Sequence, residues 1–138
     1  MGSRQREFDF LQEAANLEEF AERNKDIKYV SCPKVISQWT TTRMLMMEYI
    51  DGIPIDALDL LKILGYDLNE IGRKLAENYV KQVLEDAFFQ ADPHPGNICI
   101  RDGQIIWIDM GMMARLSDRD RQLFSNAVEA ITSVTFMN

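Results

Sequence analysis

FFQADPHPGNICIRDGQIIWIDMG, residues 88–111, changes character twice, and those changes decide the fold. Two prolines and a glycine between Gln90 and Asn97 break any helix and make this part a loop. Apolar runs then flank Asp102-Gly103, a dipeptide that favours the left-handed turn of a β-hairpin. A hairpin returns its second strand to the start of its first. Asp109, at the exit of the second strand, is therefore expected beside Asn97, with Asp92 on the same loop.

Carboxylate and carboxamide oxygens gathered in this way suit a hard divalent cation that keeps some waters and shares its other sites with phosphate. Phosphoryl transfer uses such a set. One loop Asp accepts the substrate proton, while an Asn and a second Asp hold the metal. The spacing Asp-x-x-x-x-Asn, then a hairpin, then Asp-x-Gly is the kinase arrangement. Any one of these residues alone is an ordinary turn former. In register together they mark Asp92 as the candidate catalytic residue and Asn97 and Asp109 as candidate metal ligands.

Working outward, residues 7–24 read as an amphipathic helix, with Phe10, Leu11, Ala14, Leu17 and Ala21 at helical spacing. A short strand is expected over 27–30, ended by Cys32-Pro33. Residues 35–39 and 43–49 read as two strands joined by three threonines. The second is almost continuously apolar, which predicts burial on both faces or entry into an interior connector. Asp51-Gly52 is expected to turn the chain. A helix over 55–64 closes on Gly65. A longer helix over 69–88 carries the stripe Ile71, Leu75, Tyr79, Val83 and Ala87, read as core packing. The last helix starts at Ser117 with a shortened capping box to Asp120, and Leu123, Phe124, Ala127, Ala130 and Ile131 are its expected buried side.

The bulk composition narrows the function classes. The chain has 138 residues, enough for one compact unit but short for a two-lobed enzyme, with 46% hydrophobic and 27% charged residues. A formal net charge of -7 without a dense basic run argues against nucleic acid as a partner. Cys32 and Cys99 lack CxxC spacing, and His94 is the single histidine, so neither a disulfide framework nor a multi-His metal site is expected. No apolar run approaches the roughly 18 residues that span a bilayer. The expected location is cytoplasmic, peripheral to a membrane in a longer protein.

FFQADPHPGNICI and IIWIDMGMMARLSDRDR resemble the ABC1/UbiB (AarF) family of atypical kinase-like proteins, which show an FHADPHPGN-type loop and an IDFGM-type loop. LMMEYIDGIPI resembles the family's connector between lobes. EFDFLQEAANLEEFAERN resembles its E-x-D plus E-A-x-N helix. The resemblance runs from Glu7 to about Arg121 in the family's order. It implies an α+β, protein-kinase-like fold that is truncated. About 7–50 would be a remnant of the nucleotide lobe with helix C and hinge strands. About 51–138 would be a mostly helical C-lobe with the catalytic-loop hairpin, incomplete at its C-terminus. It also implies ATP and magnesium as cofactors. By position, Asp92 matches the catalytic-loop aspartate, Asn97 and Asp109 the metal-binding pair, and Glu13 the helix glutamate that pairs with a lysine. Glu7 and Asp9 match the E-x-D motif. Met47 to Ile50 match the hinge, where the Glu48 carbonyl and the Ile50 amide would hydrogen-bond adenine and Met47 would contact it.

Departures accompany the matches. Gln90 stands where the family usually has histidine, and Met110 where it has phenylalanine. No phosphate loop, strand lysine or KxGQ motif is present, so the chain reads as part of a longer protein, with little turnover of its own. For the parent the resemblance implies ATPase or kinase-like activity in ubiquinone or other isoprenoid-lipid metabolism. Its implied partners are nucleotide and, through the full-length protein, lipid or membrane-associated biosynthetic proteins. A small-molecule phosphotransferase of the aminoglycoside/choline kinase type shares the Asp-x-x-x-x-Asn loop and is the rival enzyme reading. A non-catalytic scaffold module is the rival from another class.

Overall fold

The computed structural model describes residues 9–137, with side chains to residue 134. The first helix, α1 (Phe10–Arg23), starts where the Asp9 side chain accepts from the Leu11 amide at 3.0 Å. That bond satisfies one of the amides a helix start leaves open. Strand β1 (Val30–Ser31) follows, then a 3-10 turn over Ser37–Trp39, strand β2 (Ile53–Pro54) and helix α2 (Leu58–Ile63). Gly65 closes α2 at φ 93°, a left-handed conformation that suits glycine. Helix α3 (Leu68–Lys81), capped by Asp67, runs into a π-helical turn over Gln82–Asp86. Strand β3 (Phe88–Gln90), a 3-10 turn (Pro95–Asn97), β4 (Ile98–Arg101), β5 (Gln104–Trp107), β6 (Met113–Arg115) and helix α4 (Asp118–Met137) complete the α+β chain.

The predicted hairpin is present: β4 and β5 pair antiparallel with Ile98 opposite Trp107 and Arg101 opposite Gln104. β1 joins β5 in parallel and β2 joins β4 antiparallel, giving a four-stranded sheet in the order β1-β5-β4-β2. β3 and β6 form a separate two-stranded sheet. The hairpin is the centre of the core. Ile100, Ile105 and Trp107 are buried with Leu17 and Phe20 of α1 and Leu61 of α2. The Trp107 ring stacks on Tyr79 of α3, with centroids 6.1 Å apart, and tilts against Phe20 at 6.3 Å. Such aromatic pairs add to what area burial supplies.

Four expectations need correction. Residues 35–39 and 43–49 do not form two regular strands; they meet only through isolated bridges, Val35 with Met47 and Thr41 with Met44. The cause is Thr40, whose hydroxyl bonds the Ile36 and Met46 carbonyls and accepts from the Met46 amide, taking groups a ladder would use. Nor is 44–50 buried on both faces, since Tyr49 is 82% exposed and Met44 and Met46 are also exposed. The helix expected over 69–88 ends at Lys81, because the π turn and left-handed Ala87 (φ 51°) swing the chain into β3. Lastly, the capping bond from the Asp120 amide to Ser117 Oγ is present at 3.1 Å, but the apolar side of α4 is exposed, not buried. Periodicity identifies which face of a helix would be covered; it does not supply the cover. Among the described residues no helix is long and apolar enough to cross a membrane.

Candidate active site

The loop after β3 is folded by its own polar groups. The His94 amide donates to the Asp92 carbonyl (3.0 Å), His94 Nδ1 accepts from the Gly96 amide (3.1 Å), and Asn97 Nδ2 donates to the Asp92 carbonyl (3.3 Å). These bonds make a turn that buries Asn97 while leaving Asp92 exposed. His94 lies 4.0 Å from the Asp92 carboxylate and serves the loop rather than acting as its base. The hairpin then does what its sequence predicts: the Ile108 amide donates to the Asn97 carbonyl at 2.8 Å, so Asp109 follows immediately beside the loop. Asp109 Oδ1 accepts from the Gly111 amide at 2.8 Å, which fixes the Asp-Met-Gly turn.

A cavity of about 750 Å3 opens between α1 and this turn, lined by Asp9, Glu13, Asn16, Met47, Asp109 and Met112 with their neighbours. Glu13 and Asp109 flank Gly111: a methyl group on Gly111 would lie 3.4 Å from Glu13 Oε1 and 3.2 Å from Asp109 Oδ1. Burial, and then the charge of Asp109, push the Glu13 carboxyl above the ordinary 4.5. Among the described residues Glu13 makes no ion pair.

Asp92 and Asn97 are not among the residues lining the cavity. They are joined to it through Gln90, which accepts from the Asp92 amide at 3.0 Å and donates to the Asp109 carbonyl at 2.5 Å. Of the expected hinge, Met47 lines the cavity and Glu48 and Ile50 do not. The Glu48 amide donates to the Lys34 carbonyl (2.7 Å), and its carboxylate accepts from the Lys34 amide (3.2 Å) and faces Arg101 at 3.6 Å. Asp9 both lines the cavity and caps α1. Glu7 lies outside the described residues.

The protein oxygens available to a cation are few. Asn97 and Asp109 each use one atom in a local bond, which leaves Asn97 Oδ1 and Asp109 Oδ2. Among the described residues no three His, Cys, Asp or Glu side chains converge as a metal cage. A sparse oxygen set of this kind fits an ion that completes its shell with water and phosphate.

The ABC1 atypical kinase-like domain family matches residues 3–135 of this sequence. The chain belongs to that family. A protein of Arabidopsis thaliana named ACTIVITY OF BC1 COMPLEX KINASE 8, chloroplastic, is 44% identical over 119 residues, 84% of this chain and 16% of that one. AarF domain-containing kinase 1 of Drosophila melanogaster is 31% identical, over 93% of this chain and 26% of the other. The chain thus spans about a quarter or less of the length of these relatives. Rv3197 of Mycobacterium tuberculosis, solved with erythromycin, superposes with a TM-score of 0.63 at 28% identity, over 79% of this chain and 27% of that one. The fold is therefore kinase-like, and nucleotide use goes with such a family in general terms.

In this ABC1-type chain the structure adds residues that sequence reasoning did not single out as functional. Asn16, the last residue of Glu-Ala-Ala-Asn, donates to the Met110 carbonyl at 2.9 Å and so ties α1 to the turn after Asp109. Glu19 is bound by Arg115 of β6 through Nη1 (2.9 Å) and Nη2 (2.5 Å), a second tie from α1 to the segment after Asp109. Asn78 and Gln82 stand behind Gln90. A legible signal existed: Asn16 and Asn78 are polar residues on the apolar faces of their helices.

Proposed function

We propose that this chain carries the magnesium and phosphate side of the nucleotide site of an ATP-dependent, kinase-like enzyme. The observation that carries it is the convergence of Glu13 and Asp109 on Gly111 in one cavity, with Gln90 joining Asp109 to the Asp92 loop. Bound ATP with magnesium supplies the transferable phosphoryl group and neutralises its developing charge. Asp109 Oδ2 and Asn97 Oδ1 hold the cation, and Asp92, exposed at the loop surface, orients the acceptor hydroxyl and takes its proton. Glu13, carrying a charge that burial disfavours, awaits a cation, in this reading a lysine contributed by the longer protein. Met47 packs on the base, the Glu48 carbonyl and Ile50 amide bond its edge, and Glu7 and Asp9, the acids of the E-x-D motif, have an ion-pairing or regulatory role.

The relatives' kinase names support phosphoryl chemistry, and the family resemblance favours ubiquinone or another isoprenoid lipid pathway as the setting, with the protein peripheral to a membrane. The test uses the full-length protein that contains this chain. Magnesium with ATP at about a hundred times its Kd stabilises a binding-competent fold by about 2.7 kcal/mol. We expect that thermal shift in the unmodified protein and its loss in Asp109→Asn. No magnesium-dependent shift in the unmodified protein overturns the reading. Phosphorylation of a soluble alcohol by the full protein points instead to a small-molecule phosphotransferase.

A further inference from the structure

Among the described residues four carboxamide side chains, Asn24, Asn78, Gln82 and Gln90, are no more than 2% exposed. They form one directed chain. Asn24 Nδ2 donates to the Phe20 carbonyl at the end of α1 (3.0 Å), and Asn78 Nδ2 donates to Asn24 Oδ1 (2.9 Å). Asn78 Oδ1 accepts from both Gln82 Nε2 (2.8 Å) and Trp107 Nε1 (3.1 Å). Gln82 Oε1 then accepts from the Gln90 backbone amide (3.4 Å), and the Tyr79 hydroxyl donates to the Gln90 carbonyl (2.8 Å). The backbone of Gln90 is thereby pinned from α3 and the π turn that follows it. Its side chain is left to span the gap between the two acidic loops, Oε1 to the Asp92 amide and Nε2 to the Asp109 carbonyl.

The polarity of that bridge is fixed. Turned by half a rotation, the carboxamide would set its NH2 against the Asp92 N–H and its oxygen against the Asp109 carbonyl, replacing two attractions with two repulsions. A buried network with every member satisfied is rigid and specifies one geometry. The hydrogen bonds of the Gln90 side chain go to the backbones of Asp92 and Asp109, not to their carboxylates. We propose that Gln90 is a positioning residue, a two-ended strut that sets the spacing between Asp92 and Asp109, with Asn78 and Gln82 holding the strut in register. The inference deepens the functional reading above and rests on it for the consequence in metal and nucleotide binding, whereas the strut itself is a statement about the two loops.

The experiment compares Gln90→Leu, Gln90→Asn and Gln90→His in the full-length protein, with Leu61→Ala as a control in the core of α2. Leucine keeps most of the volume and removes both bonds. Asparagine keeps the amide but is one methylene too short to reach both loops. A neutral imidazole has one donor and one acceptor, so histidine can rebuild the bridge. The first readout is the amide exchange rate of Asp92 relative to that of Ile105, whose amide donates to the Tyr29 carbonyl at 2.8 Å in the sheet. The second is the magnesium concentration that gives half the ATP-induced thermal shift. Gln90→Leu and Gln90→Asn should each speed Asp92 exchange relative to Ile105 and raise the magnesium midpoint, by about tenfold, the usual effect of losing a residue that orients a metal ligand. Gln90→His should restore both, and Leu61→Ala should move neither, although it lowers stability. If Gln90→Leu does not fold, Gln90→Asn decides alone. An unchanged exchange ratio in the leucine or asparagine variant, or an equal change in Leu61→Ala, overturns the strut. Absence of any magnesium-dependent shift in the unmodified protein overturns the nucleotide reading instead, and the exchange ratio still decides the strut.

Discussion

Gly52 is a residue whose reason differs between sequence and structure. Beside Asp51 it reads as half of a turn, yet its φ is not in the left-handed region and the turn comes later, at residues 55–56. What it provides is room. A Cβ there would lie 3.1 Å from the Cys99 Cβ and 3.2 Å from the Ile100 carbonyl, and would collide with the Cys99 Sγ. The chain entering β2 can lie flat on β4 only because that atom is missing. Gly52→Ala should therefore cost about 1–3 kcal/mol through overpacking. Cys99→Ala in the same chain should recover part of the loss, since the two positions share one contact and are not additive. Urea unfolding of the two single variants and the double variant measures this, and strictly additive losses would show that the contact is not the cause. Asp92, Asn97 and Asp109 behave differently. Their spacing was legible because the prolines and the Asp-Gly turn leave the backbone few alternatives.

At the scale of elements, the segment from α3 to β3 shows where reading stops. The stripe Ile71, Leu75, Tyr79, Val83 predicts a helix, and α3 is there, but it also predicts continuation through Ala87. The helix instead widens into a π turn, and Ala87 takes a left-handed conformation at φ 51° and ψ 31°. Neither event leaves a mark in periodicity: alanine is the best helix former, and a π turn needs no glycine or proline. Its cause is tertiary. Gln82 and Asn78 are drawn inward by Trp107 and Gln90, and Lys81 Nζ bridges to Asp86 at 2.9 Å across the turn. The left-handed conformation costs an L-residue about 1–2 kcal/mol, whereas glycine adopts it freely but loses more chain entropy. Ala87→Gly should then stabilise by about 0.5–1 kcal/mol, and Ala87→Val should destabilise, because branching at Cβ worsens the clash. Thermal unfolding of both variants checks the sign; a less stable glycine variant would mean that the backbone strain is not there to relieve. The last helix teaches a related lesson. Its cap was legible from Ser117 and Asp120, but the exposure of Leu123, Phe124 and Ile131 depends on neighbours that no local pattern encodes.

For the whole molecule, α1 is the element that joins the parts, and it carries two acids whose environments act in opposite directions. Glu19 is held by the hydrogen bonds of Arg115 and then Arg23, which lower its carboxyl from 4.5 to about 2 even though partial burial opposes them. Arg115 also lies over the Phe88 ring at 4.4 Å, so the pair fastens α1 to β6 and β3 together. Glu13, at the cavity, is raised by burial and by Asp109. A carboxyl lowered in the fold binds fewer protons there than in the unfolded chain, so Glu19 stabilises the protein above pH 4.5, and this is lost as pH falls toward about 2. A carboxyl raised in the fold binds more protons there, so Glu13 costs stability at neutral pH, and that cost fades as pH falls toward 4.5. The two substitutions should therefore separate. Glu19→Gln lowers stability at pH 7 by about 1 kcal/mol or less, since Arg115 is largely solvent-exposed and water screens the pair, and converges on the unmodified protein near pH 2. Glu13→Gln raises stability at pH 7 and loses its advantage by about pH 4.5. Denaturant unfolding of the three proteins across pH 2–7 measures both curves. If Glu13→Gln were destabilising at pH 7, its carboxylate would have a favourable partner in the fold, which would overturn the proposed pairing of Glu13 with a lysine.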